Sequence, residues 1–86
     1  MERPNIIKRI GSMEFFSKAP LLELAGDSRV LIENHHGVLA YSLEEIQIKV
    51  KYGKLSVGGS DLKIMQMSKE QLVICGQIDK ICLFRR

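Results

Sequence analysis

Apolar and polar residues alternate through the middle of the chain, in two consecutive blocks of the same length. The first block runs from Gly37 to Tyr52 (GVLAYSLEEIQIKVKY) and the second from Gly53 to Ser68 (GKLSVGGSDLKIMQMS), so equivalent positions lie sixteen residues apart. Alternation with a period of two is typical of a β-strand that buries one face. Each block therefore predicts two short strands, the first of which follows a glycine.

The clearest strand lies at the end of the first block, where the side chains expected to face the core are Ile46, Ile48, Val50 and Tyr52. The intervening lysines, Lys49 and Lys51, are expected to face solvent. Tyr52 and Gly53 are predicted at the centre of a tight hairpin, which would place Lys51 opposite Lys54. We interpret these lysines as a solvated outer face that resists aggregation, with a binding role as the alternative.

Similar short apolar segments precede and follow the two blocks. Turn-forming residues separate them, at positions 26–28, 34–37, 42–45, 58–61 and 68–70, and Gly76 permits a further turn or bulge. Seven or eight short strands at this spacing indicate an all-β domain. Because the connections are short, we expect mostly antiparallel strands in a meander that forms a small sandwich, roll or partly open barrel.

The first eighteen residues differ from the rest and are predicted to form an N-terminal arm or short helix before a single β domain at residues 19–86. An apolar stripe with basic residues beside it allows two interpretations of this segment. The favoured one is a loosely docked arm. The alternative is a membrane-surface segment whose contacts would be Ile6, Ile10, Met13 and Phe16.

Composition and charge narrow the class of protein. The chain has 86 residues, enough for one domain, and no apolar run approaches the roughly 20 residues of a membrane-spanning helix. We also find no secretory signal, so a cytoplasmic location is expected. The net charge of +3 comes from the two ends, since residues 19–84 carry seven basic and eight acidic side chains. A basic face for nucleic acid is therefore not expected on the domain.

Few residues in the sequence are candidates for catalysis or for binding a metal or a phosphate. Cys75 and Cys82 are interpreted as reduced thiols, and no CxxC pair begins a zinc site. His35 and His36 are neighbours, which places them on opposite sides of an extended chain and makes a shared ion improbable. The loop at residues 58–61 is too short for a phosphate loop and lacks its lysine. We predict no catalytic residue, no metal site and no cofactor, and therefore no enzymatic activity.

The C-terminal half carries apolar residues on both faces of its predicted strands. A domain of this length buries one such face easily, and the second face would need a cover. A large exposed apolar strip usually marks an interaction site. We therefore expect self-association or a protein partner here, through Met65, Met67, Val73 and Phe84.

The order of several glycines and apolar residues also carries a resemblance to a known family. The residues concerned are Pro20, Leu24, Gly26, the run IENHHGVLAYS from Ile32 to Ser42, Ile46, Gly53, Leu55, Val57, Gly59, Leu62, Ile64, Gly76, Ile78 and Ile81. In this order the chain resembles the YabP/YqfC family of sporulation proteins over about residues 20–84, and its IENH run looks most like the YqfC branch. The shared residues are structural, so the resemblance rests on their joint spacing.

The resemblance implies a non-enzymatic role in spore formation, in the mother cell of endospore-forming bacteria. It implies an assembly or scaffold module that works through protein–protein contacts, with a membrane-associated sporulation protein as one expected partner. The alternative is a membrane-surface adaptor that binds anionic lipid or a membrane partner through its basic N-terminal segment. Nucleic acid and small-molecule substrates are not expected partners.

Overall fold

The structure, a computed structural model, describes residues 19–85. They form six β-strands and no helix: β1 (Leu21–Ala25), β2 (Arg29–Glu33), β3 (Val38–Tyr41), β4 (Glu45–Val50), β5 (Gly53–Met67) and β6 (Gln71–Arg85). The all-β class is therefore confirmed. The predicted N-terminal arm lies outside the described residues. Between residues 19 and 85 there is no helix of the length and apolar character needed to cross a membrane.

All six strands belong to one open antiparallel sheet, in the order β1-β2-β6-β5-β4-β3. Neighbours in the chain are neighbours in the sheet with one exception. After β2 the chain crosses at residues 34–37 to the opposite edge, where β3 pairs with β4. The meander prediction is thus correct for β1–β2 and for β3 to β6, and wrong for the step between them.

The structure has fewer strands than predicted because two of them, β5 and β6, are long. The predicted loop at residues 58–61 and the predicted break at Gly76 both lie inside continuous strands, β5 and β6, of 15 residues each. The β5–β6 register shifts between Gly58 and Gly59, between Ser60 and Lys63 opposite Gly76, and between Ile64 and Gln66. The glycines therefore lie opposite the extra residues of β-bulges, which bend the strands without ending them. Seven or eight predicted strands become six.

Because of these bends, the two halves of the β5–β6 hairpin pair with different strands. β4 pairs with Gly53–Gly58 at the start of β5, and β2 pairs with Gln71–Cys75 at the start of β6. The core side chains from both halves form one cluster: Val30, Ile32, Ile46, Ile48, Val50, Leu55, Val57, Leu62, Leu72, Ile74 and Ile78. The sheet thus curves over a single aliphatic core, which burial of apolar surface stabilises.

The predicted facing of the β4 residues is confirmed. Ile46, Ile48 and Val50 are buried, and Lys49 is exposed. The hairpin centre was predicted one residue too late, because Val50 pairs with Gly53 and the turn consists of Lys51 and Tyr52. Lys49 consequently lies opposite Lys54, and Tyr52 is an exposed turn residue instead of a core residue.

His35 has a structural position in the crossing segment. Its side chain is 6% exposed, and its Nδ1 accepts a hydrogen bond of 3.0 Å from the Gly37 backbone N–H. That bond leaves the proton on Nε2, which donates to the Ser68 carbonyl at 2.9 Å. The ring therefore ties the crossing segment to the β5–β6 turn, and this contact accounts for the burial of a histidine in a loop.

Candidate interaction surfaces

The four residues predicted to form one C-terminal surface do not lie together. Met65 and Met67 are 59% and 52% exposed near the end of β5, close to the β5–β6 turn. Phe84 is 50% exposed but lies opposite Lys54, at the other end of the hairpin. Val73 is only 8% exposed, which contradicts its assignment to a surface. The structure thus divides the predicted surface into two.

Val73 is buried because both of its neighbouring strands cover it. It pairs with Leu31 of β2 on one side and with Gln66 of β5 on the other. Although it lies on the face opposite the core, a β-branched side chain between two such neighbours loses most of its exposure. The other predicted contacts, Ile6, Ile10, Met13 and Phe16, lie outside the described residues.

The first of the two surfaces is the methionine edge, which we define as Met65 and Met67 on the outer edge of β5. β4 pairs with β5 only as far as Gly58. Beyond it, on the same edge of β5, the Leu62 backbone N–H donates a hydrogen bond to the Leu43 carbonyl. Within residues 19–85, the segment from Lys63 to Met67 therefore has β6 as its only strand partner. Among the described residues, the edge of this segment that faces away from β6 has no strand partner, and the exposed thioethers of Met65 and Met67 lie beside it.

The second surface is the cationic end, which we define as Lys49, Lys51, Tyr52, Lys54, Phe84 and Arg85. Lys49, Lys54 and Phe84 form one cross-strand row over β4, β5 and β6. A shallow groove of about 350 Å³ runs over this row, and Leu39 of β3 and Gly53 complete its lining. The lining includes three cationic side chains and no acidic one.

Each aromatic ring of the cationic end has a lysine above it. The Lys54 Nζ lies 5.5 Å from the centroid of the Phe84 ring, and the Lys51 Nζ lies 5.6 Å from the centroid of the Tyr52 ring. Both distances fall within the range of about 6 Å in which a cation is attracted to an aromatic face. Charged and apolar groups are therefore interleaved on this surface.

A hydrogen-bond network on the same face orients Lys54. The Lys54 Nζ donates to Gln47 Oε1 at 3.3 Å, and Gln47 Nε2 donates to Glu45 Oε2 at 3.1 Å. The buried Ser56 hydroxyl donates to the same carboxylate oxygen at 2.6 Å. The lysine is thus held by a chain of contacts that ends on Ser56, next to the core.

The network lowers the pKa of the Glu45 carboxyl. The hydrogen bond from Ser56 is the main cause, followed by the one from Gln47, and the charges of Lys54 and Lys80 act in the same direction. Partial desolvation opposes them. All of these favourable contacts stabilise the ionised form of the carboxyl.

We predict that Ser56→Ala raises the pKa of Glu45 towards its ordinary value. Because the folded-state pKa lies below the unfolded one, the stability that Glu45 contributes is present above the ordinary carboxyl pKa. It is lost as the pH falls through the folded-state value. An NMR titration of the Glu45 side-chain carboxyl in both proteins measures the effect. An unchanged titration midpoint in the variant would show that Ser56 is not the main cause.

A binding role for Lys49, Lys51 and Lys54 was the less favoured alternative in the sequence, and the one-residue error in the hairpin hid the aromatic residues that lie with them. The predicted register put Lys51 opposite Lys54, whereas Lys49 lies there with Phe84 on the far side of Lys54. A usable signal was present, since both the predicted and the observed register place a lysine opposite Lys54. Like charges in that position destabilise a sheet slightly, so a binding role is one reason to keep them.

Neither surface carries metal-binding geometry. Within residues 19–85 there is no group of three or more His, Cys, Asp or Glu side chains that could hold an ion. Cys75 and Cys82 are both free and partly exposed, opposite Lys63 and Ser56 respectively. What the two surfaces offer is binding: an apolar strand edge and a mixed cationic and aromatic end.

Comparison with known proteins agrees with the resemblance seen in the residues. A relative from Bacillus subtilis (strain 168), described as "Uncharacterized protein YqfC", is 29% identical over 62 residues, which are 72% of this chain and 67% of the relative. No solved structure matches the chain. The model of the YabP family matches residues 17–85, which include the whole of the described sheet and most of the chain. The chain therefore belongs to the YabP family.

Proposed function

We propose that the chain is a non-enzymatic sporulation protein, an assembly module that acts in the mother cell of endospore-forming bacteria through protein–protein contacts. Membership of the YabP family supports the link to sporulation. The methionine edge is the single observation that supports a role in assembly. Neither cofactor, small-molecule substrate nor nucleic acid is part of the proposal.

The methionine edge combines two properties of a protein-binding surface. Among residues 19–85, its backbone between Lys63 and Met67 offers unpaired hydrogen-bonding groups to an incoming strand, as in β-strand addition, with a register shift between Ile64 and Gln66 that bends the edge. Met65 and Met67 add flexible apolar side chains that adapt to different partner surfaces.

The proposal predicts that Met65→Glu with Met67→Glu abolishes assembly and leaves the fold intact. Both side chains are more than half exposed, so the charges add little strain to the monomer. Light scattering at tens of micromolar measures self-association. Complementation of a deletion strain, scored as heat-resistant spores, measures function. We expect the variant to melt within a few degrees of the wild type and to restore at most a small fraction of the spores.

A matched control separates the edge from a general effect of charge. Ala40→Glu with Gln77→Glu adds the same two charges at exposed positions on other strands. The control variant is expected to behave as the wild type does in both measurements. Full complementation by the methionine variant, or equal loss in both variants, would contradict an assembly role for this edge.

A further inference from the structure

We propose that the cationic end is a docking surface for an anionic lipid membrane. This docking surface is separate from the proposed assembly surface, because the two lie at opposite ends of the β5–β6 hairpin. It also differs from the membrane contact predicted for residues 1–18, since all the residues that carry it lie in the folded sheet.

The charge distribution is the first argument. Residues 19–85 carry eight basic and eight acidic side chains, so this part of the chain has no net formal charge. Half of its cations, Lys49, Lys51, Lys54 and Arg85, belong to the cationic end, and the groove there has no acidic lining. A neutral domain with one positive end is oriented by a negative surface, and that end meets the surface first.

The apolar groups are the second argument. Tyr52, Phe84 and Leu39 are exposed within or beside the cationic residues, and two of the lysines lie over the aromatic rings. Rings at the level of lipid headgroups, with lysines reaching the phosphates, are the arrangement of an interfacial membrane contact. Purely electrostatic binding would not need the rings.

The shape of the surface favours a membrane over an acidic peptide. Lys51 and Tyr52 form the β4–β5 turn itself, and the row of Lys49, Lys54 and Phe84 lies directly behind it. The groove between them is shallow. A turn and the last residues of a strand, at one extremity of the sheet, form a contact for a broad surface. The network from Lys54 to Ser56 holds one cation in place before contact, which reduces the entropy lost on binding.

The test is sedimentation of the full chain with vesicles of phosphatidylcholine, alone or with about a third of phosphatidylglycerol, which gives the vesicles a negative surface potential. The variant is Lys49→Gln with Lys51→Gln. The control is Lys63→Gln with Lys69→Gln, which removes the same charge from exposed positions in the other half of the sheet. Each lysine near an anionic surface contributes about a fivefold change in binding, so we expect the first pair to weaken binding about thirtyfold.

The wild type and the control are expected to sediment with the anionic vesicles and not with the neutral ones. Both should dissociate from the anionic vesicles as the salt concentration is raised. Phe84→Ser is expected to weaken binding without changing its salt dependence. Failure of the wild type to sediment, or equal loss in both lysine pairs, would overturn the proposal. Retention on soluble poly-glutamate without vesicle binding would also overturn it, and would assign the cationic end to an acidic protein segment.

Discussion

Replacement of Ile48 by lysine is expected to unfold the domain. Ile48 is completely buried at the centre of β4, between Val38 of β3 and Leu55 of β5. A lysine there would place an unpaired charge in an aliphatic core, at a cost of several kcal/mol. A small domain has a total stability of roughly 5–10 kcal/mol, so most or all of it would be lost. Circular dichroism of the purified variant at 25 °C would show the loss of the sheet.

The matched control is the neighbouring substitution Lys49→Ile. Lys49 is exposed on the opposite face of the same strand, in the groove of the cationic end. We expect its thermal midpoint to stay within a few degrees of the wild type, because a surface substitution usually changes stability by less than about 0.5 kcal/mol. Vesicle binding by this variant should nevertheless fall. Unfolding by Lys49→Ile, with Ile48→Lys still folded, would mean that β4 is shifted by one residue.

This pair of residues also shows how much of the fold could be predicted. The two-residue period of β4 decides which side chains face the core, and the prediction for Ile46, Ile48 and Val50 was correct because the period depends only on local geometry. The end of β1 and both ends of β3 were also predicted correctly, since the turns at 26–28, 34–37 and 42–45 delimit them.

The predictions failed where distant residues decide the outcome. A glycine ends a strand or makes a bulge according to what lies beside it, and the sequence around Gly59 or Gly76 does not contain that information. The crossing between β2 and β3 follows from the pairing of β2 with β6, about forty residues later in the chain. No local pattern encodes such a pairing.

The candidate surfaces were predicted in part for the same reason. Met65 and Met67 were recognised because apolar residues at alternate positions of a strand are visible in the sequence. Their facing was not predictable, because a register shift between Ile64 and Gln66 separates them and Met67 pairs with the buried Leu72. The burial of Val73 depends on Leu31, which lies on a strand that the sequence does not place beside it. The lysines of the cationic end were given a binding role only as the alternative, because placing them beside Phe84 requires the register of two hairpins at once, β4–β5 and β5–β6.

A second large effect is expected at Gly76 of β6, opposite a bulge in β5, where Gly76→Ala should destabilise the domain by about 3 kcal/mol or more. Gly76 has a φ of +137°, which side chains with a Cβ rarely adopt. A Cβ at this position would lie 2.5 Å from the Asp61 carbonyl oxygen and 2.9 Å from the Leu62 Cα, both backbone atoms of the facing bulge in β5. Neither can move without disturbing the bend that brings the two halves of the sheet over one core.

Gly26→Ala is the control that separates two costs of Gly76→Ala: the collision of the new Cβ with β5, and the backbone strain of a positive φ. Gly26 also has a positive φ, of +60°, but a Cβ there would meet nothing within 4 Å, so only the strain of about 1 kcal/mol remains. In a domain of this size, 1 kcal/mol lowers the thermal midpoint by about 4–8 °C. Gly26→Ala should therefore melt about 5 °C below the wild type, and Gly76→Ala at least twice as far below it. Equal shifts would show that β5 and β6 do not come this close at the bulge, and that the bend has another cause.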